Sequence, residues 1–250
     1  MTIARTGETF EMGRVLSRAF GAIGRNFGLF LGLALILAGI PHLLTALWRV
    51  SVQDPSHPGG APAIIALVAG SLLGIVSGAI LQVAITRATV TDLVGEKPAF
   101  GACLKAGLAL ILPMIGLSIL AGLGVGLAMI LLIIPGIMLF VAWSVAVPAY
   151  VQERIGITDS LGRSRALTKG ARWKIFGLFL VYAIAVFILN LPVGFMVAAF
   201  HASPYLAVAF STLVSVLGTM VLVTMQATMY VELRDVKEGV SPKELEAIFA

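Results

Sequence analysis

The chain is poor in cysteine, histidine and charge: one Cys, three His and 12% charged residues among 250. A single thiol, Cys103, excludes an internal disulfide, and its expected place on the basic side argues against redox or structural-metal work. Soluble domains typically carry about 25% charged residues. The deficit here, with 59% hydrophobic residues and a mean hydropathy of +1.04, excludes an ordinary soluble fold. Also missing are His-Glu-x-x-His, Gly-x-Ser-x-Gly and a Walker loop, the spacings that would place a zinc ion, a nucleophile elbow or a phosphate cradle. Residues 1–26 lack the short apolar core and cleavage pattern of a removable signal peptide, so the first apolar run is expected to act as the insertion signal.

What the chain does have is six long apolar runs, 27–48, 62–86, 108–132, 134–151, 175–200 and 204–228, none with a charge in its interior. Most reach the roughly 20 residues that cross a hydrocarbon core of about 30 Å. The predicted fold is all-α, a polytopic bundle of six transmembrane helices with interfacial amphipathic helices on one side. A segment 1–26 would precede the membrane domain 27–228, and a tail 229–250 would follow it. Of the 17 Lys and Arg, only Arg49 falls on the other side of the membrane from the rest. Short cytoplasmic loops collect Lys and Arg, so both termini, the second loop and the fourth loop are expected in the cytoplasm of a bacterial inner membrane. The net charge of +5 then reflects orientation and attraction to anionic lipid, and no aromatic-interleaved basic domain points to nucleic acid.

Met12, Val15, Leu16, Ala19, Phe20 and Ile23 recur at helical spacing, opposite Glu11, Arg14, Arg18 and Arg25. This helix is expected along the cytoplasmic surface, its apolar face in lipid or against the bundle and its arginines among phosphates. In the fourth loop, Thr158, Asp159 and Ser160 offer N-cap chemistry before 161–167, and Arg163, Arg165, Lys169, Arg172 and Lys174 follow. That loop either enforces topology or holds lipid headgroups or a partner. With Arg14, Arg18, Tyr230 and Arg234 it supplies the expected contacts to membrane lipid, to a protein partner or to a second copy. Glu153, Glu232 and Asp235 are expected to pair with Arg163, Arg165 or Arg234.

Gly24, Gly28 and Gly32, Gly70, Gly74 and Gly78, Gly122 with Gly126, and Ser211, Ser215 and Thr219 repeat every four residues. Such faces let helix backbones approach in lipid, and a tight bundle is expected. Pro135-Gly136 suits a tight turn between the third and fourth runs. Three related hairpins, each led in by an interfacial segment, are suggested by Ser17-Arg18-Ala19 before Gly28-Leu29-Phe30-Leu31 and Ser164-Arg165-Ala166 before Gly177-Leu178-Phe179-Leu180.

Pro148-Ala149-Tyr150-Val151-Gln152-Glu153, Ser160-Leu161-Gly162-Arg163-Ser164-Arg165-Ala166-Leu167-Thr168-Lys169-Gly170 with Trp173, Pro135-Gly136, and Tyr230-Val231-Glu232-Leu233-Arg234-Asp235-Val236-Lys237-Glu238-Gly239 together carry a resemblance. Over most of its length the chain resembles the membrane domain of some glycerophosphoryl diester phosphodiesterases and related uncharacterised six-span bacterial membrane proteins. In the fused members hydrolysis belongs to a separate barrel that follows the membrane part. The resemblance therefore implies an architecture and no catalysis here.

The residues point the same way. Nearly all acids are expected on the cytoplasmic side and all three histidines on the other, which separates the groups that metal-assisted hydrolysis would unite. His42, His57 and His201 with Asp54 are the one candidate metal cluster. Neither a catalytic residue nor a cofactor is assigned. The function expected is a non-catalytic scaffold, regulatory or accessory module near anionic headgroups. The alternative is a transporter or lipid-handling protein, with Gln82, Asn190 and Gln226 as its polar pathway.

Overall fold

A computed structural model describes residues 10–52, 60–200 and 203–239, and these are helical with no strand among them. Helix α1 is Met12–Arg25, the predicted amphipathic segment. The first span, Phe27–Ser51, consists of α2 (Phe27–Ala34), a π-helical turn (Leu35–Gly39) and α3 (Ile40–Ser51). The second is α4, Ala61–Leu93; a short α5, Phe100–Ala109, leads into the third, α6, Ile111–Leu131. The fourth joins α7 (Ile133–Trp143) to α8 (Ala146–Glu153), and α9 (Ile157–Thr168) leads into α10 (Arg172–Phe200) and α11 (Pro204–Glu238). Six of these helical segments are long and apolar enough to cross a membrane, the architecture of a multi-pass membrane protein. Short helix, span, span recurs three times along the chain.

Prolines punctuate this order. A proline removes an amide hydrogen and crowds the carbonyl four residues before it. Pro113, Pro135 and Pro148 each lie in the first turn of a new helix, and the residues four earlier, Ala109, Leu131 and Ser144, stand where the preceding helix ends. Pro41 acts differently: the helix does not break but widens around Leu37 into the π turn. At the α7–α8 break the freed backbone is stitched from α9. The Val145 amide donates to Ser164 Oγ at 3.2 Å, and that hydroxyl donates to the Ala142 carbonyl at 2.8 Å.

Several sequence expectations shift. The reversal between the third and fourth spans falls at the extended residue Leu132, not at Pro135-Gly136, which sit inside α7. Gly136 is needed there because a Cβ would lie 2.8 Å from the Met129 Cα of α6. Helix α9 starts at Ile157, capped by Gly156, ahead of the predicted Thr158–Ser160 cap. The supposed tail from 229 continues α11 to Glu238, where Gly239 ends it at φ +67°. Ser17 is exposed whereas Ser164 is buried, so the two Ser-Arg-Ala lead-ins are not structurally equivalent.

Burial concentrates at the end bearing α1, α5 and α9, called the basic end. One core gathers Val15, Val145, Leu167, Ile175, Met229 and Tyr230. A second joins Ile23, Phe30, Leu33, Ile85, Ala88 and Cys103, and a third Val83, Met114, Leu117 and Leu161. The other end is loose: α3 has no buried residue, and Ile130 to Ile134 at the α6–α7 reversal are each at least 65% exposed.

Candidate functional site

The basic end is closed by carboxylates held between arginines. Glu232, buried on α11, is gripped by Arg14 of α1 and by Arg18 Nη1 at 3.0 Å, and Arg18 also reaches Asp235 at 3.2 Å. Arg25 makes a two-point contact with Asp92 of α4, at 2.6 and 3.2 Å, and Asn26 Nδ2 adds a third bond at 2.6 Å. On the far side of α11, Arg163 Nε donates to both oxygens of Glu153 at 2.8 and 2.9 Å and its Nη2 reaches Glu238. Tyr230 donates its hydroxyl to Glu153 at 2.8 Å, and Arg234 bonds Glu238 at 3.0 Å. Charge-assisted bonds of this kind are the strong ones. Together they pin α1, α4, α8, α9 and α11 to one another.

This layer redistributes the residues expected to meet lipid or a partner. Arg14, Arg18, Arg163, Tyr230 and Arg234 turn inward onto carboxylates instead of outward to phosphates. The predicted Glu153–Arg163 pair forms, but Glu232 and Asp235 take Arg14 and Arg18 from the start of the chain. Arg165 and Lys169 are exposed, Lys174 donates to the Phe10 carbonyl at 2.9 Å, and Arg172 is half-buried with its Nε unbonded. Cys103 is 1% exposed and burial pushes its thiol pKa up, so it is a packing residue.

Two cavities flank α4. The first, about 430 Å³, is shared by Gln82, Ser118, Trp143, Ser144 and Gln226, so two of the three expected pathway residues meet. Asn190 does not join them. It is exposed and donates to the Val186 carbonyl of its own helix at 2.8 Å.

The second, about 360 Å³, is a crevice between α3, α4 and α11 in the loose half. It follows α3 from Leu37 at the π turn to Arg49, about 18 Å at 1.5 Å per residue. His42, Thr45, Ser71, Ser77, Ser215 and Thr219 give it a polar wall. Thr45 and Ser71 donate their hydroxyl protons to carbonyls of their own helices at 2.9 and 2.7 Å, which leaves oxygen lone pairs as their remaining hydrogen-bonding capacity. Thr212 likewise donates to Val208 at 2.7 Å and can only accept from His42 Nδ1 at 2.9 Å.

The glycine faces serve these cavities more than helix packing. A Cβ on Gly74 or Gly78 at the crevice, or on Gly122 or Gly126 at the other cavity, would meet nothing within 4 Å. The same holds for Gly24 and Gly28. Of these repeats, Gly70 packs closely, 3.1 Å from Thr45, and Gly32 is in ordinary contact with Phe100 at 3.7 Å. The expectation of a bundle sealed along these faces is corrected accordingly: the small residues leave space.

No protein-family model matches this chain, and comparison with curated proteins and with solved structures gives no match. The site must be argued from its own geometry. His57, His201 and Asp54 lie outside the described residues, and no group of His, Cys, Asp and Glu able to hold a metal occurs among the described ones. Missed from the sequence were the crevice hydroxyls, His42 as a wall residue and Arg49 at the mouth. Pro41 within an apolar run was the available signal, because a proline there disturbs the helix at Leu37, and the π turn that results here is of a kind that gathers at functional sites.

Proposed function

We propose that the protein is a non-catalytic lipid-handling or solute-carrying membrane protein, held in a state closed at a cytoplasmic basic end and open on the opposite side. One observation carries this reading: a crevice with hydroxyls and a histidine along its wall runs about 18 Å through the loose half of the bundle, while buried cores and the arginine–carboxylate layer pack the other half. Hydroxyls and a histidine at membrane depth are costly facing hydrocarbon and useful facing a polar ligand. Ser71, Gly74, Gly78 and Ser215 are exposed along the walls, so the crevice is an open cleft. An amphiphile could place its polar part there with its chains left in lipid. Positive-inside charge asymmetry supports the orientation, in a bacterial inner membrane with both termini cytoplasmic. The resemblance to phosphodiesterase membrane domains enters this proposal as architecture only.

A test replaces Cys103 by Ser and introduces single cysteines in place of Gly74 and Ser215. A membrane-impermeant maleimide should label both in intact spheroplasts and neither in inside-out vesicles. Labelling only by a lipid-soluble reagent would make the cleft a dry lipid-facing groove and end the carrier reading. A second reading, a scaffold near anionic headgroups, is favoured by the exposed Arg165, Lys169 and Trp173 beside the fourth loop.

A further inference from the structure

Three lysines converge at the basic end, and among the described residues no carboxylate lines the space between them. The turn between α9 and α10 passes through Gly170 at φ +89°, a conformation that suits glycine, and so carries Lys169 and Lys174 to one side. Lys237, in the last turn of α11, meets them there. The three surround a cavity of about 250 Å³ whose floor is Phe10, Leu233 and Val236.

Two of the ammonium groups are fixed by backbone. Lys174 Nζ donates to the Phe10 carbonyl at 2.9 Å, and Lys237 Nζ donates to the carbonyls of Ala166 and Lys169 at 3.0 and 2.8 Å. Carbonyls at the end of α9 favour a cation there. They orient the ammonium groups but do not neutralise them. An ammonium has three donors, so Lys174 keeps two unused and Lys237 one, while the Lys169 side chain is exposed. The acids nearest on α11 are engaged elsewhere: Glu232 and Asp235 with Arg14 and Arg18, Glu238 with Arg163 and Arg234. Glu11, beside Phe10, is exposed and does not line the cavity. Like charges held close raise the free energy of the site until an anion enters.

We infer that this tri-lysine cup is a binding site for a phosphate group. It is separate from the crevice and independent of the carrier reading. Lysine binds phosphate as a point charge, and three ammonium groups, from the end of α9, from α10 and from α11, give it a concave seat. The source argued for is the headgroup of an anionic lipid. Trp173, next in sequence to Lys174, is 76% exposed, as suits a side chain anchored at the membrane–water interface.

The experiment is native mass spectrometry of the full chain in mild detergent, titrated with phosphatidylglycerol in one arm and inorganic phosphate in the other. Changing Lys169, Lys174 and Lys237 to Gln should weaken phosphatidylglycerol binding about a hundredfold, and Lys169→Gln alone about fivefold. The single variant removes no protein hydrogen bond of its side chain and guards against a misfolded triple variant. A control changing Lys97, Lys105 and Arg154 to Gln, exposed residues with equal loss of charge, should bind as the parent does. Binding of inorganic phosphate, lost with the same lysines, would keep the site and assign it to a soluble anion. An equal loss in the control, or no loss in the cup variants from either probe, would overturn the inference.

Discussion

Glu232 shows how much one side chain depends on distant partners. It is 1% exposed, and its charge is held between two guanidinium groups. Removing one member of a buried pair leaves a charge without compensation. Glu232→Gln is expected to cost about 2 kcal/mol, the buried-pair figure reduced because both arginines are partly exposed. Glu238→Gln, whose carboxylate is 29% exposed against 2% for that of Glu232, should cost less than about 1 kcal/mol. Thermal unfolding of the two variants in detergent, followed by size-exclusion fluorescence, makes the comparison; equal shifts would contradict it. The sequence led Glu232 and Asp235 to be expected beside Arg163, Arg165 or Arg234, and their pairing with Arg14 and Arg18 could not be read from it. That pairing joins residues more than two hundred positions apart, and no local periodicity reports such a contact.

The helices were legible where their cause is local. Apolar length marks each span, and the spacing of Met12, Val15, Leu16, Ala19, Phe20 and Ile23 marks the apolar face of α1, of which Val15, Ala19 and Ile23 are buried while Met12 and Phe20 stay exposed. The helix ends follow prolines, also a local cause, but Pro-Gly at 135–136 admits two outcomes, a turn or a helix start. The close pass of Met129 over Gly136 reflects the second. Gly136→Ala must push the α6–α7 hairpin apart and should destabilise by about 2 kcal/mol. Gly122→Ala projects into the cavity beside Gln82, meets no atom within 4 Å, and should be neutral or stabilising by about 0.5 kcal/mol. Denaturation midpoints of the two variants test this, and a Gly122→Ala loss as large as that of Gly136→Ala would mean a seam occupies the cavity. Four-residue glycine spacing is the same in both settings. It allows close approach without requiring it.

The bundle is asymmetric across its depth, packed and ion-paired at one end and cleft at the other. Under the proposed orientation the packed end faces the cytoplasm. A fluorescent protein fused after residue 250 should therefore fold and emit, and alkaline phosphatase inserted in the loop 52–60 should be active. The reverse pattern would invert the molecule and turn the crevice inward.

From the sequence alone follow the six spans, the side on which the charges collect and the surface helix before the first span, because each depends on composition or on a repeat within a few turns. Which arginine holds which acid, whether glycine faces close or gape, and that Lys237 joins Lys169 and Lys174 around one cup were decided only by tertiary structure. Those are relations between helices, and helices apolar on every side carry no periodic signal to say which face meets which neighbour.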